Sequence, residues 1–166
     1  GHASFILKHK KNKKLRDVPK SDWAFNPLDP ETYQVQFDLY LDAMEATPYG
    51  KYLHVGGDEV QTTGRKSGKS ALELNLIWLN KVSAFAEKHN RTPIFWDDML
   101  LKQAEVYYPI YDSNISVQKV DSIWNANESK LNMFIKQFPE NCVYMRWNYH
   151  TAESYGNGKA MDWFSN

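Results

Sequence analysis

His54-Val55-Gly56-Gly57-Asp58-Glu59 is the stretch on which the reading of this chain turns. The segment Lys51 to Val55 has the apolar character of a strand, and it runs into two glycines followed by two adjacent carboxylates. On a regular strand neighbouring side chains point to opposite faces, so Asp58 and Glu59 can meet one ligand only where the strand has ended and the backbone turns. Gly56 and Gly57 permit that turn and remove side-chain bulk from the approach. Adjacent acidic residues alone are common in solvated loops; the paired glycines and His54 move the reading towards a site.

Upstream, Asp29 before Pro30 has the form of a helix cap with proline at the first helical position. Tyr33, Phe37, Tyr40, Leu41 and Met44 then recur at helical spacing, which predicts a helix from Pro30 to Ala46. Downstream, Thr62 to Lys69 is a polar loop of the kind that borders a site. Ser70 and Glu73 have capping-box spacing, and Leu72, Leu76, Leu79, Val82, Phe85 and Ala86 form an apolar stripe, so a second helix ends near Asn90. Pro93 to Trp96 reads as a short buried strand closing on Asp97, which reads as solvated, and Asp98. Val120, Trp124, Leu131, Phe134 and Phe138 share one helical face and predict a helix over Asp121 to Gln137 with Trp124 in the core. Cys142 to Trp147 forms a third strand leading into Asn148-Tyr149-His150, and a last helix begins near Lys159.

Strands alternating with helices, with polar and aromatic residues gathered after each strand, predict an α/β fold. Its sheet is parallel, with the site at the carboxyl ends of the strands. A complete eightfold barrel takes ~250 residues, and 166 are present. Three parallel strands leave open edges and an uncovered face, so residues 1–166 are expected to form one partial domain of a (β/α)8 TIM barrel, a fragment of a larger chain.

Composition narrows the partners. Lys plus Arg equals Asp plus Glu at 20 each, leaving no global field to attract nucleic acid or an anionic polymer. The basic run Lys8 to Arg16 lacks interleaved aromatic residues and reads as a solvated loop. Aromatic content of 14% can serve packing or stacking on sugar rings, and composition does not separate these uses. Cys142 is the only cysteine, which rules out an internal disulfide and reads as a buried thiol. No apolar run approaches the ~20 residues that span a bilayer.

The pattern resembles family 20 glycoside hydrolases, the β-N-acetylhexosaminidases, whose signature His-x-Gly-Gly-Asp-Glu is matched by His54 through Glu59. Gly1-His2-Ala3 resembles the segment closing the preceding barrel strand in that family. Phe95-Trp96-Asp97-Asp98-Met99 resembles its tryptophan and acidic segment on the next strand, and Arg146-Trp147-Asn148-Tyr149 corresponds more loosely to the strand after that. The resemblance runs from about the end of barrel strand 3 to helix 6. The family's substrate-gripping arginine on the first strand, and the tryptophan and acidic residue near the last, have no counterpart here, so the rest of the barrel is expected from the parent chain.

The resemblance implies hydrolysis of terminal N-acetylglucosamine or N-acetylgalactosamine from glycans. The mechanism would be retaining and substrate-assisted, the 2-acetamido oxygen serving as nucleophile. It assigns Glu59 as general acid and then general base, and Asp58 as the group that holds the acetamide N–H. Trp96 and Trp147 are candidates for apolar walls around the sugar, each with core packing as its plainer alternative. Asp98 and Tyr149 are candidates for hydrogen bonds to substrate, while His54 and His2 are expected either to hold the carboxylate pair or to be structural. The expected partner is an N-acetylhexosamine-containing glycan, with no cofactor, no metal, no nucleic acid and no membrane span. Secretion, a periplasmic location or the cell surface suits such an enzyme, any signal lying upstream of Gly1. Two other readings rank below this one: a metal-dependent barrel enzyme using Asp58, Glu59 and Asp98 with His54, and a non-catalytic carbohydrate-binding relic of the fold.

Overall fold

The computed structural model describes residues 2–106, 115–147 and 154–166. In chain order its elements are α1 (Ser4–Leu7), α2 (Pro30–Ala46), β1 (Tyr52–Gly56), α3 (Ala71–Lys88), β2 (Thr92–Trp96), α4 (Asp98–Gln103), α5 (Val117–Asn132), β3 (Val143–Met145) and α6 (Tyr155–Ser165). Short 3-10 turns occupy Lys10–Leu15 and Ile135–Gln137. The strands lie side by side in chain order and run parallel, as helical crossovers between neighbouring strands require. This is the alternating α/β arrangement expected, with three parallel strands among the described residues.

The first two long helices start where their caps place them. The Asp29 carboxylate accepts the Glu31 N–H at 3.0 Å with Pro30 at the first helical position, and Ser70 Oγ accepts the Glu73 N–H at 3.1 Å. Each cap is worth about 1 kcal/mol. Burial counts for more: Leu72, Leu76, Leu79, Val82 and Ala86 pack with Leu53, Val55 and Phe95 into the main core, and each large apolar side chain fully buried there contributes about 1.5–3 kcal/mol. Phe37 of α2 stacks on Phe85 of α3 with ring centroids 4.0 Å apart, locking the two helices that flank β1.

Three elements depart most from their expected bounds. The third long helix begins at Val117 rather than Asp121, because Ser116 Oγ accepts the Lys119 N–H at 3.2 Å. It ends at Asn132, and Phe134 and Phe138 reach the core from around a separate 3-10 turn. Their apparent helical spacing spans two elements; Val120, Trp124 and Leu131 are the buried face of α5, as expected. The third strand is confined to Val143–Met145, where Ile94, Phe95 and Trp96 supply its partners. Cys142, just outside it, is half-buried and donates its thiol to the Pro139 carbonyl at 3.1 Å, and burial pushes its pKa up to about 11. The last helix starts at Tyr155, four residues before Lys159, with Ser154 Oγ accepting the Asn157 N–H at 3.3 Å. No helix among the described residues is long and apolar enough to cross a membrane.

Candidate active site

Along β1, Leu53 and Val55 are buried towards the helices, while His54 faces away from them. The pairing of β1 with β2 steps irregularly between His54 and Gly56, so the strand breaks its pleat just where the site begins. Gly56 and Gly57 have φ of +82° and +101°. The first faces open space, but a Cβ on the second would lie 3.3 Å from the Trp78 ring. Glu59 itself is left-handed at φ +46°. A chain turned through these residues leaves the sheet sharply and presents both carboxylates at its carboxyl edge.

There they meet His2. Its Nε2 lies 3.1 Å from Asp58 Oδ2 and 3.3 Å from Glu59 Oε2, so one imidazole nitrogen bridges both carboxylates. Asp58 is the more sheltered, with its side chain 25% exposed against 49% for Glu59. The three groups have ligand atoms within 4.8 Å of one another and form the His and carboxylate cluster capable of holding a cation among the described residues.

His54 is placed differently from His2. Its Nδ1 accepts the Gly56 N–H at 3.1 Å, which puts the ring proton of the neutral imidazole on Nε2. Burial holds this histidine below its ordinary pKa, with the negative charge of Asp58 pulling part of the way back. The ring tilts against Trp96 at 4.7 Å, so Trp96 is in contact with the signature segment.

The acidic pair after β2 is buried. Asp97, expected to be solvated, is 4% exposed and is gripped by Arg146, whose Nε lies 3.2 Å from each carboxylate oxygen and whose Nη2 lies 2.7 Å from Oδ2. Burial pushes the Asp97 carboxyl up, and the Arg146 hydrogen bonds and charge offset only part of that rise. Asp98 turns into α4 and accepts from Lys102 Nζ at 3.0 Å. Its Oδ1 is buried and has no hydrogen-bond partner among the described residues. Lys102 also lies over the Trp147 ring, 5.9 Å from the centroid, so Asp98 and Trp147 share one cation. The metal reading needed Asp98 and His54 beside Asp58 and Glu59; the clustered groups are instead His2, Asp58 and Glu59. Tyr149 lies outside the described residues.

Two tryptophans escaped the sequence reading. Trp23 donates its indole N–H to the Glu59 carbonyl at 2.8 Å, and nothing in its polar loop signals that contact. Trp78 backs Gly57 and donates to Gln36 Oε1 at 2.9 Å; its helical position beside the apolar stripe of α3 was the available clue. A cavity of about 200 Å³ opens between α2, α3 and the end of β1, lined by Gln36, Tyr40, Trp78, Gly56, Gly57 and His2 among others. Neither carboxylate lines it, so it lies on the helix side of the turn.

The chain is 31% identical over 111 residues to Hexosaminidase D of Bos taurus, an alignment covering 60% of this chain and 32% of that protein. Hexosaminidase D of Homo sapiens is 30% identical over 111 residues, covering 60% of this chain and 23% of the relative. The chain therefore matches a third or less of the length of these two relatives. No solved structure gives a significant match. The family description "Glycosyl hydrolase family 20, catalytic domain" matches residues 4–154, and the chain belongs to that family.

Proposed function

We propose that this chain is a sector of a (β/α)8 barrel that carries the acid/base machinery of a β-N-acetylhexosaminidase, with the remaining strands supplied by the rest of the parent protein. Family membership supports the reaction class. The observation that carries the assignment of residues is the turn at Gly56 and Gly57, which delivers Asp58 and Glu59 together to His2.

In this reading the substrate is a glycan ending in β-linked N-acetylglucosamine or N-acetylgalactosamine. Its acetamide oxygen attacks the anomeric carbon as the glycosidic bond breaks, and Glu59 gives its proton to the departing oxygen. Asp58 accepts the acetamide N–H, aims the carbonyl oxygen and stabilises the charge of the oxazolinium ion that forms. Water then attacks the anomeric carbon, the Glu59 carboxylate takes up the water's proton, and the acetamide is restored with β configuration retained. The two carboxylates need different duties, and their unequal exposure suits them: the more open Glu59 exchanges protons with water, while Asp58 is sheltered beside His2. His2 orients the pair, and His54 with Trp96 forms an adjoining wall that an acetamide methyl could contact.

The test is turnover of 4-nitrophenyl N-acetyl-β-glucosaminide by the full-length protein carrying this sequence, beside the matched β-glucoside. Release from the first alone, with the β anomer as first product, is the expected result; equal turnover of both would rule out assistance by the acetamide. A cation held by His2, Asp58 and Glu59 is the second reading, favoured by their mutual proximity. Activity lost to a chelator and restored by a divalent ion would select it.

A further inference from the structure

We infer that the arch formed by residues 15–26 is a brace for the acid/base turn, and that Trp23 at its tip is a positioning residue for Glu59. The inference rests on Glu59 as the acid/base group. The arch is closed on itself by the antiparallel bridge between Arg16 and Phe25 and by two backbone hydrogen bonds, Asp17 N–H to the Ala24 carbonyl at 3.0 Å and Asn26 N–H to the Leu15 carbonyl at 2.8 Å. Its tip is tied to the residues beside His2: the Trp23 carbonyl accepts the Ala3 N–H at 3.1 Å, and Ser4 Oγ donates to Asp22 Oδ1 at 2.9 Å.

From this base the arch grips the loop after β1 at two points. At the tip, Trp23 Nε1 donates to the Glu59 carbonyl at 2.8 Å, and the same indole meets the His2 ring at 4.7 Å. On the other arm, buried Asp17 Oδ2 accepts the Thr63 N–H at 2.6 Å and the Thr63 hydroxyl at 3.0 Å. Arg65 fastens the far end of the loop, with its Nε and Nη2 donating to the Arg16 carbonyl at 3.1 and 2.8 Å.

The need for a brace follows from the backbone. Glu59 has φ of +46° and His2 has φ of +60°, left-handed conformations that residues with a Cβ hold only when their surroundings fix them. A single indole contacts both strained residues, one through its N–H and one through its ring. Without it the Glu59 carbonyl loses its anchor, the turn relaxes, and the carboxyl group drifts from the position it needs beside the scissile bond. A displacement of about 1 Å is enough to cost up to about a hundredfold in rate.

Trp23→Phe keeps an aromatic ring for His2 and removes the N–H, and replacement of the indole by benzothiophene removes the N–H while keeping its shape. With 4-nitrophenyl N-acetyl-β-glucosaminide and the full-length protein, both variants are expected to lose about tenfold in kcat while KM stays within about twofold. Their melting temperatures should stay close to wild type. If the benzothiophene variant keeps full kcat, or loses activity only in step with its folded fraction, the brace is wrong and Trp23 is scaffold. If the wild-type protein shows no turnover, the hexosaminidase reading itself fails and the brace falls with it; an active wild type beside fully active variants removes the brace alone.

Discussion

β1 and β2 both end in adjacent carboxylates, and the chain treats the two pairs in opposite ways. After β1, Asp58 and Glu59 remain 25% and 49% exposed and share one histidine nitrogen. After β2, the side chains of Asp97 and Asp98 are 5% and 2% exposed and are held by Arg146 and Lys102 respectively. The cause is local. Gly56 and Gly57 carry the first exit through positive φ and keep it out of helical geometry, whereas Trp96 is followed directly by a right-handed Asp97 and the start of α4. A strand that passes straight into a helix folds its carboxylates under the sheet edge; a strand that ends in two glycines leaves them at the rim. Buried and paired charge serves structure, and carboxylates at the rim are available for chemistry.

That contrast can be broken from either side. Asp97→Ala strands the Arg146 side chain, 12% exposed, without its main partner, and should lower unfolding stability by about 3–5 kcal/mol, as read by denaturant titration. Asp58→Asn should leave that stability near wild type and lower kcat by about a hundredfold. A variant of Asp58 that melts like the Asp97 variant would place both pairs in the same structural class.

The glycines provide a finer test. Gly56→Ala adds a methyl group in open space at φ +82° and should cost about 1–2 kcal/mol through the backbone alone. Gly57→Ala meets the Trp78 ring as well, so it should lose more stability and more activity than its neighbour. Equal losses in the two would mean that Trp78 gives way freely.

The smallest effect is a pH slope. Burial holds folded His54 below its ordinary 6.5, so as pH falls the unfolded chain takes up this proton first. The contribution of His54 to stability is complete above the unfolded value and is lost as pH falls through the folded one. His54→Gln should therefore narrow the gap in melting temperature between about pH 7.5 and about pH 5.5; an unchanged gap would assign the acid sensitivity to other groups.

Elements built from nearby residues were legible in the chain. Asp29-Pro30 and Ser70 with Glu73 fixed where α2 and α3 start because a cap and its partner lie two or three residues apart. Gly56-Gly57 announced the turn for the same reason. Contacts between distant segments were not legible. Asp97 looked solvated because the arginine that buries it is 49 residues away. Trp23 and Glu59 are 36 residues apart, and no periodicity records a hydrogen bond from a loop to a backbone carbonyl. The early end of α5 failed for a mixed reason: Phe134 and Phe138 do reach the core, as their spacing says, but around a second turn.

The measurement that bears most directly on the account is kcat of Glu59→Gln on 4-nitrophenyl N-acetyl-β-glucosaminide, taken in the full-length protein at a temperature where the variant is fully folded. The variant is expected to lose about 10²–10⁴-fold in kcat with its melting temperature retained. A folded Glu59→Gln protein with kcat within a few-fold of wild type would contradict it and take the acid/base role away from the β1 exit.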